Sequence, residues 1–317
     1  MKGAAAVGAT GVLVVDKPRG PTSHDVVAMV RRALRTREVG HAGTLDPMAT
    51  GVLVLAIGEA TKLVPYLTGA TKTYVARLEL GKETDTLDAM GQVTIERAVP
   101  DDVLGELAEL AASPEPELPP RLAAAVAAER ARTAQDPPAF SAIQRDGERA
   151  YARARRGEPT DLPPRQVRVH RLEITGSGSE PRPWLDLSLV ADKGYYVRSL
   201  ARDVAYALGT VGTLTALRRT ASGTFGEAEA IPLPSPPEVL TARIIGLATA
   251  ARRALPAACL SDAGVLAARF GRRVPAAEFV TATAEGEPAA WLDGAGALVA
   301  VGVADEGGSA RVLRGFR

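Results

Sequence analysis

The sequence predicts an α+β chain built around a mainly antiparallel mixed sheet. Strand-like segments, some alternating and some continuously apolar, are separated by amphipathic helical segments. Several of them return through short polar turns of hairpin kind, with few of the longer crossovers that a parallel sheet requires. A hydrophobic content of 46% over 317 residues supplies enough core for one large and one small domain, placed at 1–235 and 236–317.

The first ten residues are small and apolar and read as a frayed start. Residues 11–15 form a strand that ends in the sharp turn Asp16-Lys-Pro-Arg-Gly-Pro21. Ser23 then caps a helix with Val26, Val27, Val30 and Leu34 on one face and Arg31, Arg32, Arg35 and Arg37 around the rest. Next comes Val39-Gly-His-Ala-Gly-Thr-Leu-Asp-Pro-Met-Ala-Thr-Gly51, followed by the apolar run 52–57, a buried strand. Glycines on both sides of Asp46 open backbone angles closed to other residues, and Pro47 biases Asp46 away from the helical region. An isolated Asp-Pro pair is an ordinary turn. The density of His, Thr, Asp and Gly here exceeds what a turn between two elements needs, which makes Asp46 the leading candidate for chemistry.

Residues 59–67 are helical, and 72–80 alternate as a half-buried strand with Tyr74 on the apolar face, where a core role is the ordinary reading. Thr84-Asp-Thr-Leu-Asp-Ala-Met-Gly91 is a polar turn leading to a strand at 92–97. The Ala- and Glu-rich stretch 101–134 carries two helical patterns broken by Ser113-Pro-Glu-Pro-Glu-Leu-Pro-Pro120 and reads as a surface insertion. Residues 145–171 hold eight arginines, with Tyr151 inside a helical stretch beginning near Glu148. This local surplus in a balanced chain is the footprint of phosphate contacts, and Arg149 and Tyr151 are its candidate RNA-binding residues. Strands at 166–174 and 184–191 flank Gly176-Ser-Gly-Ser179, read as a flexible connection. A helix over 195–208 buries Val197, Leu200, Val204 and Leu208. It carries Arg198 in its first turn, where the helix dipole disfavours a cation unless a carboxylate or an anionic ligand faces it. Residues 214–225 return as strand and turn. Pro232-Leu-Pro-Ser-Pro-Pro237 is a stiff boundary before a helical connector over 237–255. A short helix at 261–271, a hairpin over 289–303 through Asp293-Gly294 and a last strand at 310–316 then predict a small β-barrel.

Composition narrows the function. Cys259 is the only cysteine and the three histidines are scattered, so a disulfide framework and a cysteine-rich zinc site are excluded, and neither metal nor cofactor is expected. No run is long enough to span a bilayer and no secretory signal is evident, which predicts a cytoplasmic protein without a membrane partner, taken as a monomer. The net charge of +1 leaves the decision on nucleic acid to the clustering of basic residues. The phosphate-cradling patterns Gly-x-x-x-x-Gly-Lys-Ser/Thr and Gly-x-Gly-x-x-Gly between strand and helix are absent, which argues against a nucleotide enzyme of α/β class.

Gly40-His-Ala-Gly-Thr-Leu-Asp-Pro-Met-Ala-Thr-Gly51 resembles the catalytic loop of the TruB family of tRNA pseudouridine synthases. Asp16-Lys-Pro-Arg-Gly-Pro-Thr-Ser23, Lys72-Thr-Tyr74, Gly81 with Thr84-Asp-Thr86, Pro137-Pro-Ala-Phe-Ser-Ala-Ile143 and Lys193-Gly-Tyr-Tyr-Val-Arg198 resemble its other motifs, in the same order, from about residue 11 to 225. The resemblance implies a catalytic domain of pseudouridine synthase type and a small C-terminal RNA-binding domain of PUA or similar type. It implies base flipping without a cofactor, in a family divided between a stand-alone branch acting on the T-loop uridine at tRNA position 55 and a branch guided by small RNAs; the compact length and the absence of a long basic tail favour the stand-alone branch. It makes Asp46 the nucleophile and Arg198 its ion-pair partner, with Tyr74 packed on the target base and Leu217 walling its pocket. His41 would fill the space left by the flipped nucleotide, and Lys17 would support the loop. The stretch before Gln135-Asp-Pro-Pro138 departs from the family pattern: it is longer, and an aromatic-x-Gly element is missing. The competing reading is a non-catalytic RNA-binding or RNA-folding protein on the same fold, in which Asp46 is only a turn residue.

Overall fold

The computed structural model describes residues 9–112, 117–140, 144–145, 148–149, 156, 158, 162–281, 284–306 and 308–317. They fall into two compact units, one made of the described residues within 9–46, 51–70 and 222–317, the other of those within 47–50 and 71–221.

The first unit begins with β1 (Gly11–Lys17), α1 (Ser23–Leu34), β2 (Val39–His41), β3 (Thr50–Ile57) and α2 (Val64–Gly69), the last preceded by a 3-10 turn over Gly58–Leu63. β1 runs antiparallel to β3 from Gly11 opposite Ile57 to Lys17 opposite Gly51, and β2 pairs antiparallel with the end of β3. Every residue of β3 from Gly51 to Ile57 is buried, which explains its unbroken apolar run. The cap of α1 is Thr22, one residue before the expected Ser23. The Thr22 hydroxyl accepts from the Asp25 amide and the Asp25 carboxylate accepts from the Thr22 amide, a reciprocal capping box. Ser23 is released for another task, described below.

The second unit holds β4 (Lys72–Leu80), β5 (Lys82–Thr84), β6 (Val93–Glu96), α3 (Asp101–Ala112), α4 (Pro120–Arg130), β7 (Ala134–Gln135), β8 (Gln144–Arg145), β9 (Glu148–Arg149), β10 (Arg165–Gln166), β11 (Val169–Gly178), β12 (Trp184–Ala191), α5 (Val197–Ala207) and β13 (Gly212–Ser222). Its sheet has the order β11-β12-β4-β13, with β12 antiparallel to both β11 and β4. The expected flexible connection at 176–179 is instead largely the end of β11, where Gly178 admits the Trp184 ring: a Cβ on it would sit 2.7 Å from the indole. Glu148 and Arg149 are extended and pair with Gln144 and Arg145, and residues 150–155, where the rest of the expected helical stretch falls, lie outside the described residues. The helices α3 and α4 lie against β11 and bury Val103, Leu107 and Leu122 completely, so the presumed surface insertion contributes to the core.

The chain then returns to the first unit with β14 (Phe225–Gly226), β15 (Ile231–Pro232), α6 (Pro237–Ala242), α7 (Leu247–Ala254), β16 (Ala257–Cys259), α8 (Asp262–Arg269), β17 (Val274–Pro275), β18 (Pro288–Leu292), β19 (Leu298–Asp305) and β20 (Ser309–Gly315). β15 runs parallel to β1. The connector is two helices, split where Ile245 exchanges two backbone hydrogen bonds with Val12 at 2.9 and 2.7 Å. Gly11 is required there, since a Cβ would meet the Ile245 carbonyl oxygen at 2.2 Å. The last strands form a five-stranded sheet, β16-β18-β19-β20-β17, over the fully buried Trp291. One cluster of buried side chains, including Val12, Val54, Phe225, Ala251, Leu292, Val301 and Phe316, joins this sheet and the connector to β1 and β3. No described helix is long and apolar enough to cross a membrane.

Candidate active site

In the first unit the Asp46 loop is fastened at several points. The Ala42 amide donates to the Val54 carbonyl at 2.9 Å, and Gly43 adopts φ +108°, a region that favours glycine. The buried Ser23 hydroxyl accepts from the Leu45 amide at 2.8 Å and donates to the Leu45 carbonyl at 3.1 Å. This pair fixes the residue immediately before Asp46, whose side chain is half-buried. His41 ends β2, with its ring edge-on to His24 at 5.2 Å between centroids. Lys17, at the end of β1, is fully buried and its Nζ donates to the Pro18 carbonyl at 3.0 Å.

In the second unit Tyr74 stands on the buried face of β4, opposite Leu189 of β12. Leu217 is buried on β13, its carbonyl 3.5 Å from the Thr50 hydroxyl. Arg198 is the second residue of α5 and is 5% exposed. Its Nη1 donates to the Thr86 carbonyl and its Nη2 to the Phe140 carbonyl, each at 2.9 Å, and Nη1 lies 3.7 Å from Asp88 Oδ2. Asp88 is thus a carboxylate partner of the kind the helix dipole demands, and sequence reasoning missed it. The signal was present as the second acid of the Thr84-Asp-Thr-Leu-Asp88 turn. Asp88 Oδ1 accepts from the Thr86 hydroxyl at 2.8 Å and the Met90 amide at 2.9 Å, while Leu87 takes φ +60° to make the turn. The turn is stitched to β13 by the Ala89 amide on the Leu214 carbonyl at 3.0 Å and the Leu214 amide on the Leu87 carbonyl at 3.2 Å.

A second feature escaped the sequence reading. Lys72, at the head of Lys72-Thr-Tyr74, is 5% exposed, and burial pushes its ammonium down to about 8, helped by the charges of Arg219 and Lys193. Arg219 itself is buried on β13, so two strands carry buried cations in this unit.

Of the predicted residues, Asp46, His41 and Lys17 belong to the first unit and Tyr74, Arg198, Leu217 and Arg149 to the second. Arg149 lies on β9, and Tyr151 falls outside the described residues. Among the described residues, no three His, Cys, Asp or Glu side chains are grouped so as to hold a metal ion.

Residues 31–197 match the family described as TruB family pseudouridylate synthase (N terminal domain). A protein of Arthrobacter sp. (strain FB24) named tRNA pseudouridine synthase B is 42% identical over 314 residues, 97% of this chain and 96% of that one. A protein of the same name from Thermobifida fusca (strain YX) is 42% identical over 274 residues, 84% of this chain and 87% of its own length. Among solved structures, the Crystal Structure of a Cbf5-Nop10-Gar1 Complex contains a chain that superposes with a TM-score of 0.70 at 25% identity, covering 98% of this chain and 84% of the other. The α+β architecture is therefore that of the pseudouridine synthases, and a match over more than half of the chain together with chain-long identity above 40% assigns this protein to the TruB family of pseudouridine synthases.

Proposed function

We infer that this chain isomerises uridine to pseudouridine in tRNA, that its target is the T-loop uridine at position 55, and that Asp46 is the nucleophile. Family membership carries the reaction. The observation that carries the residue assignment is the Asp46 loop, whose preceding residue is clasped at both backbone groups by a buried serine. A nucleophile held in this way approaches its target with little orientational entropy left to lose.

The reaction breaks the bond between carbon 1′ of ribose and nitrogen 1 of the base and forms one from carbon 1′ to carbon 5; carbon 5 gives its proton to solvent and nitrogen 1 takes one up. It is redox-neutral, and substrate and product are isomers. A carboxylate suits the nucleophile because it is ionised at neutral pH and is also a competent leaving group. Tyr74 and Leu217 are the surfaces against which the flipped uracil rests, and His41 fills the space that the base leaves. Arg198 is the cation that orients the nucleophile, and Lys17 supports its loop. Arg149 and Tyr151 contact the T-stem backbone, and residues 236–317 form a further RNA-binding part. The enzyme works as a cytoplasmic monomer.

The test is release of tritium from a tRNA transcript labelled at uridine carbon 5. Wild type should release label and modify position 55, while Asp46→Asn should bind the transcript and release none. Release by Asp46→Asn would remove Asp46 as nucleophile, and absence of release by wild type would leave an RNA-binding protein.

A further inference from the structure

Glu129, next to last in α4, is 2% exposed. Burying a carboxylate is costly unless donors meet both oxygens. Here the Tyr195 hydroxyl donates to Oε1 and Arg132 Nε to Oε2, each at 2.7 Å. Arg132 continues to Asp203 Oδ2 at 3.5 Å, and Asp203 accepts from Arg202 Nε at 2.7 Å, so the network runs into the body of α5. Burial raises the Glu129 carboxyl above its usual range and pushes the Tyr195 phenol well up, as expected for polar groups sealed from water.

The neighbouring contacts follow one pattern. Gln135 grips the Tyr196 backbone with both ends of its amide: Oε1 accepts from the Tyr196 N–H at 2.9 Å and Nε2 donates to the Tyr196 carbonyl at 3.1 Å. Ser199 donates its hydroxyl to the Asp136 carbonyl at 2.8 Å, and Arg198 donates to the Phe140 carbonyl at 2.9 Å. Tyr195, Tyr196, Arg198 and Ser199 are thus each bonded to the segment 129–140, which spans the end of the departing stretch and the Gln135 motif. Tyr196, the residue before α5, makes no capping hydrogen bond with its own side chain. The position of its first turn, which holds Arg198, is set from outside the helix.

We propose that Glu129, acting through the Tyr195 hydroxyl, is a positioning residue for Arg198, and that the helical stretch 101–134 serves this enzyme as a brace for the start of α5. An apolar contact would hold the same segment without fixing its register. A hydrogen bond from a ring hydroxyl to one buried oxygen has direction, and it lies three residues from the guanidinium it orients. The proposal rests on the assignment of Arg198 to the reaction.

The experiment measures kcat and KM for an unmodified tRNA transcript, by tritium release well below the melting temperature, together with Tm for each variant. Tyr195→Phe removes only the hydroxyl and should lower kcat about tenfold with KM close to wild type, as a small misplacement in the site does; it also leaves one buried oxygen of Glu129 without a donor, so Tm should fall by a few degrees. Glu129→Ala should show the same loss, and Glu129→Gln, which still offers an oxygen to Tyr195, should recover most of it. In an Arg198→Lys background, Tyr195→Phe should add no further loss. The proposal is overturned if Tyr195→Phe keeps wild-type kcat, if its effect persists undiminished beside Arg198→Lys, or if Val301→Ala, a core change in the other unit that also lowers Tm, reduces kcat as much. An Arg198→Lys enzyme with wild-type kcat would instead remove Arg198 from the reaction, and the brace would lose its purpose whatever Tyr195→Phe does.

Discussion

Replacing Asp88 by Asn keeps the outline of the side chain and removes its charge beside Arg198. The two groups are 3.7 Å apart, with side chains 8% and 5% exposed. At an effective dielectric near 20, their attraction is about 4 kcal/mol. Desolvation offsets part of this, so the expected net loss for Asp88→Asn is about 2 kcal/mol. Asn retains an oxygen for the Thr86 hydroxyl and the Met90 amide, the two bonds that shape the turn. Asp88→Ala loses those bonds as well and should cost about 4 kcal/mol, since it leaves a buried guanidinium beside unfilled space. Urea unfolding followed by circular dichroism reads both values, with an unchanged slope showing that the unfolded state is not altered. Placed in an Arg198→Met background, the Asp88→Asn loss should shrink below about 1 kcal/mol, because the charge it compensated is gone. An Asp88→Asn protein within about 0.5 kcal/mol of wild type would refute the argument that this carboxylate supports the buried cation.

Ser23→Ala should destabilise by about 1–3 kcal/mol, because the buried Leu45 amide loses its acceptor. Hydrogen exchange at Leu45 should accelerate, and unchanged exchange would show that the loop is held by other means. Lys72 makes stability depend on alkaline pH: its value in the fold, about 8, lies below its ordinary 10.5. The stability linked to it is therefore full above 10.5 and is lost as pH falls through about 8, a difference on the order of 3 kcal/mol. Wild type should gain stability relative to Lys72→Met between pH 8 and 10.5 in chemical unfolding. Parallel curves would show that the ammonium is not held in a dry site.

The strands were legible where burial is one-sided. The alternation of 72–80 and the pattern of 184–191 give β4 and β12 to the residue, because a strand with one dry face writes that face into every second position. What failed was set by partners distant in sequence. Two glycines at 176 and 178 signal flexibility by themselves, and only the Trp184 ring across the hairpin shows that Gly178 is there to admit it. Ser23 and Thr22 are equally good caps by type. Thr22 takes the role because Asp25 stands three residues on, while Ser23 is drawn to Leu45, 22 residues away. The Asp46 loop stood out because its unusual residues are adjacent in sequence. Asp88 did not, because its relation to Arg198 spans the whole departing stretch.

The first turn of α5 follows from this difference between local and distant constraints. Helices ordinarily place acids near their N-terminus, as α1 does with Asp25, and α5 has no acid in its first turn and an arginine instead. The unfavourable field of the helix start is opposed by Asp88 and by two carbonyl oxygens, Thr86 and Phe140, all outside the helix. A cation held against local preference by parts of the chain far apart in sequence is fixed in orientation by all of them together, since a shift that relieves one contact breaks another. That is the arrangement expected where a side chain must present its charge in one direction, and it is why a departure from a local rule marks this position more clearly than agreement with it would.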